Sequence, residues 1–324
     1  MTETGPLFVS SGDLIADRRY TWALALAARG DFAAAADMLA QTVDLAPQFA
    51  AAWFALGAMR ERLGDVGGAV AAFEQGHAAD PEDAYGARLQ LARLAGGEAT
   101  PAMSTSYVRR LFDQYAQRYD AALTEQLAYR GPALLREAVA ATMRAAGRPL
   151  RFASALDLGC GTGLAGAAFR DCVDRLVGVD LSTGMLAQAA AKRLYDRLAT
   201  ADLLGFLRNE AASLATYHLV LAADVLVYVN DLAPIMAAIS RVLAPDGITA
   251  FTVETHAGGN VTVLPTMRYA HGADHVRCAL QGHGLRPVHQ AKAAVRSEKG
   301  APVDSMVVVA QPSTAMRPPA SRFR

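Results

Sequence analysis

The sequence predicts a chain in two parts: an all-α repeat region, then an α/β domain built on a doubly wound, mostly parallel sheet. Three observations predict it. The apolar run Ala155-Leu156-Asp157-Leu158 breaks into Gly159-Cys160-Gly161-Thr162-Gly163 and passes into a helix-like stretch, Leu164 to Phe169. Strand and helix patterns then alternate from Phe152 to Leu243. Ahead of them, residues 16–96 carry helix and turn signals that recur at a 34-residue interval.

Residues 1–15 are expected to form a flexible start. In the repeat region, Trp53, Leu56, Gly57, Ala69, Phe73 and Pro81 stand at the offsets of a tetratricopeptide repeat, a helix-turn-helix unit. Small residues let paired helices approach, the large apolar ones fill the groove between them, and Pro81 stops the second helix. An earlier copy keeps Ala35, Leu39 and Pro47 at matching places but has Arg19 and Ala23 where the tryptophan and glycine belong. A helix over about Asp83 to Leu94 would cap the stack.

Gly96-Gly97-Glu98-Ala99-Thr100-Pro101 reads as a linker, placed at 97–103. A helix from Ser106 to Leu127 follows, with Tyr107, Leu111, Tyr115 and Tyr119 at four-residue steps. Gly131-Pro132 opens another helix, proline being tolerated in a first turn. Strand five is placed at Ile248 to Val253, and two closing strands at about Leu285 to Ala294 and Ser305 to Ala310. The second domain is thus bounded at 104–311, with 104–147 as a helical lid and 312–324 as a disordered tail.

Glycines at a strand tip let a ligand approach the backbone, and in open α/β sheets ligands bind at the carboxyl ends of strands. Arg175-Leu176-Val177-Gly178-Val179-Asp180 reads as the second strand, with Asp180 where such folds place an acid to accept ribose hydroxyls. A dinucleotide fingerprint needs G-x-G-x-x-G/A, and Leu164 occupies its last glycine position. The spacing resembles instead the class I S-adenosylmethionine (SAM)-dependent methyltransferases, whose first motif is an acid followed by G-x-G-x-G: Asp157, Gly159, Gly161 and Gly163. Val179-Asp180-Leu181-Ser182, Ala201-Asp202-Leu203 and the run Leu219 to Leu226 continue the match in order. The layout also resembles a bacterial family of predicted methyltransferases that carry tetratricopeptide repeats. Arg110 to Asp120, Arg268-Tyr269-Ala270-His271 and Gly300-Ala301-Pro302-Val303 take part in that match. The resemblance implies a Rossmann-like, seven-stranded domain with SAM as cofactor, and names no acceptor.

On that reading Gly159, Cys160, Gly161, Gly163, Asp180, Leu181, Leu203, Ala223 and Asp224 surround the cofactor. Asp157 either holds the glycine loop or reaches the methionine ammonium. Asp202 either contacts adenine or caps the following helix. Tyr115 and Tyr119 touch the cofactor if their helix folds over it, and otherwise pack onto the core. Where the acceptor must lose a proton, a histidine suits neutral pH. His271 is the first candidate base and His256 the second. Tyr228, Glu254, Arg268 and Tyr269 are expected on the acceptor side. No paired Cys/His spacing indicates a metal.

The chain has 324 residues, 52% of them hydrophobic, enough for two cores. Lys plus Arg and Asp plus Glu number 31 each, which gives no general nucleic-acid or membrane-surface binder. Three cysteines without paired spacing and a start that lacks a signal peptide point to a reducing, cytoplasmic setting. The sequence therefore predicts a SAM-dependent methyltransferase acting on a small-molecule O- or N-acceptor. The alternatives are a protein methyltransferase that recruits its target through the repeats, and a SAM-binding scaffold without catalysis.

Overall fold

The structure, a computed structural model, describes residues 9–96, 102–117, 119–121, 127–298 and 300–313. The chain divides into two compact units, Met1–Gln114 and Tyr115–Arg324.

The first unit is helical: α1 (Leu14–Ala28), α2 (Phe32–Leu45), α3 (Ala50–Arg62), α4 (Val66–Ala79), α5 (Ala87–Ala95) and α6 (Thr105–Tyr115), whose last residue opens the second unit. The helix α2 starts at Phe32 behind Asp31, and α4 starts 34 residues later, at Val66 behind Asp65. Each of these aspartates caps its helix by accepting the N–H three residues on, at 3.1 and 2.8 Å. Leu39, Val43, Phe49 and Leu56 fill one core. Phe73 is fully buried, and its ring lies where a Cβ at Gly57 would be, at 2.7 Å. The start of the chain is ordered earlier than expected, because Ser10 and Ser11 bind Asp17 from residue 10 onward.

Helix α6 ends at Tyr115 rather than running to Leu127. It also packs within the first unit. Tyr107 lies against Gly86, Ser104 Oγ donates to the Asp83 carbonyl at 2.8 Å, and Arg110 stands 4.4 Å over the Tyr85 ring. Of the proposed linker, residues 97–101 lie outside the described residues.

The second unit holds α7 (Tyr119–Ala121), α8 (Gly131–Ala145), β1 (Phe152–Leu158), α9 (Leu164–Phe169), β2 (Val173–Asp180), α10 (Thr183–Ala191), β3 (Arg197–Thr200), α11 (Leu203–Ala212), β4 (Tyr217–Ala222), α12 (Ala233–Val242), β5 (Leu243–Glu254), β6 (Val261–Val263), β7 (Tyr269–His271), α13 (Ala273–Gln281), β8 (Leu285–Glu298) and β9 (Ala301–Pro312). Strands β3-β2-β1-β4-β5 run parallel in that order. Strand β9 joins β5 antiparallel, and β8 pairs with β9. The sheet has nine strands among the described residues, not seven, because the short hairpin β6–β7 adds two. Glu254 already pairs with Ser305 of β9, so its pairing with Ala270 puts β7 on β4's side of β5, beyond Phe251, where β4 ends.

Side chains alternate across each strand. Leu156, Leu158, Val179, Val220 and Ala222 face a core with α11, α12 and α13. Ala155, Leu176, Leu219 and Leu221 face another with α8 and α9. A sheet covered on both faces explains the near-continuous apolar strands. Of the expected tail, Pro312 is in β9 and Ser313 N donates to the Gly284 carbonyl, while 314–324 lie outside the described residues. No described helix is long and apolar enough to cross a membrane, and no described cluster of three His, Cys, Asp or Glu is placed to hold a metal ion.

Candidate active site

Parallel strands that end together bring their carboxyl-terminal residues to one rim: Asp157 of β1 and Gly159 just after it, Asp180 of β2, Ala223 and Asp224 after β4, and Glu254 of β5. The turn after β1 is held from below. Cys160 N donates to Val179 O at 3.0 Å, and Gly163 N to Cys160 O at 2.8 Å. Gly159, Gly161 and Gly163 all have positive φ. A Cβ at Gly159 would meet Val225 at 2.3 Å, whereas one at Gly161 would stand in open space. Gly161 is thus the point where the backbone is bare toward a ligand.

Asp180 ties this turn to the next one. One of its oxygens accepts Gly161 N at 2.9 Å and the other Ser182 N at 2.8 Å, in a site only 8% exposed. Ser182 in turn caps α10 by accepting Met185 N. Leu181 lies between the two. Asp202 caps α11, accepting Gly205 N at 2.8 Å, with Leu203 the first residue of that helix.

Asp157 is 1% exposed. Its Oδ2 accepts the Tyr195 hydroxyl at 2.6 Å, and its Oδ1 is buried with no partner. Burial pushes its carboxyl up to about 7; the Tyr195 hydrogen bond opposes the rise and the Asp180 charge adds to it. A carboxyl raised in the folded state binds more protons there than in the unfolded chain, so stability is lost as pH rises from about 4 to about 7. Asp157→Asn removes that cost. Denaturant unfolding is expected to show no gain at pH 4 and a gain of up to about 4 kcal/mol at pH 8. A gain of equal size at both pH values would contradict it.

Tyr195 was not singled out in the sequence. Its ring lies where Cβ atoms at Gly163, Gly166 and Gly178 would stand, so it props the turn from beneath. Cys160 is 5% exposed, and burial raises its thiol well above the ordinary range.

Tyr119 and Tyr129 lie beside the turn and, with Gly159, Gly161, Thr162 and Ala223, line a cavity of about 30 Å³. Tyr129 was also missed in the sequence. It is positioned by Leu127 and Arg130, whose backbone pairs with Ser297 and Val295 of β8. Asp120 accepts from Thr162 of the turn and from Lys192 at 2.6 Å. Tyr115 stands apart from this set, 49% exposed.

The other side of the rim is a charged network centred on Arg296, another residue the sequence reading passed over. Its side chain is 1% exposed. It donates to both oxygens of Asp224 at 2.6 Å, to Glu254, and to Glu298 at 3.0 Å. Arg268 donates to Glu298 and, at 3.4 Å, to the Tyr228 hydroxyl, and stands 3.6 Å from Glu254. Burial raises the Asp224 and Glu254 carboxyls against the pull of Arg296. For Glu298 burial is outweighed by the two arginines, which hold it below the ordinary range.

The histidines lie elsewhere. His271 is fully buried, with Nε2 3.3 Å from the Leu226 carbonyl, Nδ1 without a partner, and its ring stacked on His275. Burial lowers it to about 4, so it is neutral at pH 7. Tyr269 beside it is also fully buried. His256 spends both ring nitrogens on its own loop: Nδ1 accepts Gly258 N, and Nε2 bonds the Asn260 carbonyl. It borders a separate cleft of about 410 Å³ with Lys292 and Asp304.

Residues 156–249 match a family model described as "Methyltransferase domain". Within these bounds the chain carries a methyltransferase domain. A solved structure of Burkholderia thailandensis 1,6-didemethyltoxoflavin-N1-methyltransferase, with 1,6-didemethyltoxoflavin and S-adenosylhomocysteine bound, is similar at 21% identity and a TM-score of 0.50. That match covers 67% of this chain and 93% of that one. An S-adenosylmethionine-dependent methyltransferase from Clostridium acetobutylicum ATCC 824 is 17% identical at a TM-score of 0.46, covering 63% and 99%. The N-methyltransferase NodS from Bradyrhizobium japonicum WM9 is 18% identical at 0.44, covering 55% and 94%. The Burkholderia likeness shows a common fold. No curated protein sequence matches the chain. The rim suits the SAM that the sequence motifs imply: a bare backbone at Gly161 and a partnerless carboxylate oxygen at Asp157.

Proposed function

We propose that the chain methylates a small-molecule O- or N-acceptor. The observation that carries the reading is the Asp180 carboxylate, fixed by Gly161 N and Ser182 N at the edge of the bare glycine turn. A carboxylate at this edge is a charged acceptor of the kind that ribose hydroxyls donate to. Asp157 Oδ1 would accept from the methionine ammonium. Leu181, Asp202 and Leu203 would border adenine, and the backbone of Gly159, Cys160, Gly161 and Gly163 would lie along the amino-acid half. Ala223 and Asp224 would floor the methyl end, with Tyr228, Glu254 and Arg268 on the acceptor side. The cofactor supplies a methyl group already activated on a sulfonium, so the protein's work is mainly orientation. His256 spends both ring nitrogens on its own loop, and His271 is fully buried and stacked on His275, so neither is assigned a role as base.

Sites for ligands of this size enclose about 300 Å³ or more. Tyr119 and Tyr129 narrow the cavity beside the turn, so both would border a bound cofactor.

A second reading is favoured by the 34-residue recurrence of α2 and α4 with their aspartate caps. If the helical unit is a tetratricopeptide array, it would present a peptide-binding surface and recruit a protein target. One experiment tests both: SAM labelled in its methyl group, incubated with the protein and a fractionated extract. Label in small molecules is expected. Label in polypeptide only would move the assignment to the second reading, and no label in any fraction would remove the catalytic one.

A further inference from the structure

Among the described residues, the network on the β4–β5 rim is not charge-balanced. Asp224, Glu254 and Glu298 carry three negative charges when ionised, and Arg268 and Arg296 carry two positive ones. One negative charge is left over where side chains are largely shielded from water: Arg296 and Glu254 are 1% and 2% exposed, Asp224 13%. The surplus lies next to the glycine turn. Asp224 follows Ala223, which lines the same cavity as Gly159 and Gly161, and its charge reaches both cavity tyrosines, Tyr119 and Tyr129. The partnerless Oδ1 of Asp157 adds a second group nearby that asks for a donor.

An uncompensated charge away from water is costly, and it favours ligands that bring the opposite sign. The guanidinium of Arg268 faces Glu254 and Glu298, so it is neutralised within the network and does not provide a site for an acidic acceptor. Resting on the methyltransferase reading above, we infer that this network selects an amine as the methyl acceptor and turns away carboxylates and phosphates.

Charge bookkeeping through the transfer supports an amine. An incoming ammonium loses its proton to water and attacks as the neutral amine. Its nitrogen lone pair forms the N–CH₃ bond as the S–CH₃ bond breaks, with that bond's electron pair left on sulfur. One positive charge, on sulfur before and on nitrogen after, faces the surplus carboxylate throughout. A carboxylate acceptor would instead bring a second anion against Asp224 and Glu254. It would end as a neutral ester, with the network's charge exposed to nothing.

Two measurements test this. The first is calorimetric affinity for S-adenosylhomocysteine, neutral at sulfur, and for sinefungin, which carries an ammonium in place of the methylsulfonium. Sinefungin is expected to bind at least tenfold more tightly to the wild type. In Asp224→Asn the preference is expected to fall below threefold. Glu298→Gln removes the same charge from a position 24% exposed, and is expected to do likewise should the first variant not fold. Equal affinities in the wild type, or a preference unchanged in both variants, would overturn the inference. Binding of neither ligand would overturn the underlying methyltransferase reading as well. The second is the chemistry of the product labelled from SAM. It should be retained on a cation exchanger and keep its label in alkali. Release of labelled methanol in alkali, the mark of a methyl ester, would refute an amine acceptor.

Discussion

Asp180→Ala is expected to weaken binding of S-adenosylhomocysteine by at least about 100-fold and to lower stability by about 2–6 kcal/mol. Two effects add in this variant. The carboxylate accepts Gly161 N and Ser182 N in a site 8% exposed, and its loss leaves two shielded donors unpaired, at about 1–3 kcal/mol each. It also removes a charged acceptor for the ribose hydroxyls, and hydrogen bonds to charged groups contribute about 1.5–3 kcal/mol each. Calorimetry with adenosine and with S-adenosylhomocysteine separates the two. If Asp180 acts on the nucleoside, both ligands weaken by the same factor. If it only stiffens the turn, adenosine weakens less, because the turn lies along the amino-acid half. A folded variant with unchanged affinity for both would dispose of the cofactor assignment at Asp180.

What the sequence made legible is what depends on local spacing. The glycine turn, the second-strand acid and the alternation of strands with helices all follow from short apolar runs punctuated at regular intervals, and the structure has them. The groups around the turn were harder to read, for reasons that differ residue by residue. Tyr195 left a trace: Gly166 inside a helix and Gly178 inside a strand are costly unless something bulky lies against them, and the Tyr195 ring does. Tyr129 left none, because its place is set by pairing with β8, more than 160 residues later in the chain.

Arg296 was hidden by register. A strand that alternates buried and exposed residues would put Val295 and Arg296 on opposite faces. The pairing of β8 with β9 slips between Ala294 and Ser297, and both residues are buried. A bulge re-aims a side chain in a way that no period-two pattern reveals. The same slip sets Arg296 against Asp224 and Glu254, which arrive from β4 and β5. The histidines are a case of the opposite sense. Their residue type suited the chemistry, but burial and loop hydrogen bonds fix them in other tasks.

Arg296→Met should show how much of the rim depends on that one guanidinium. Methionine keeps most of the length and apolar stem, so packing changes little, while Asp224, Glu254 and Glu298 lose their shared partner. Removing one member of a buried ion network is expected to destabilise the domain by about 3–5 kcal/mol at pH 8. The sign of the pH dependence follows from the carboxylates. Without Arg296 nothing opposes the burial that already raises Asp224 and Glu254, so their folded-state pKa values climb further above the unfolded ones. The folded variant then binds more protons than its unfolded chain, and its stability falls as pH rises. Its deficit against the wild type should therefore be small near pH 4, where both carboxyls can be neutral, and full at pH 8. Adding Asp224→Asn and Glu254→Gln should return most of the loss, since the penalty belongs to the stranded charges rather than to the missing arginine. Chemical unfolding of the wild type, the single variant and the triple variant at the two pH values measures each quantity. A deficit that is the same at pH 4 and pH 8 would mean that Arg296 stabilises the rim by packing alone, and the charge argument for the acceptor would lose its footing.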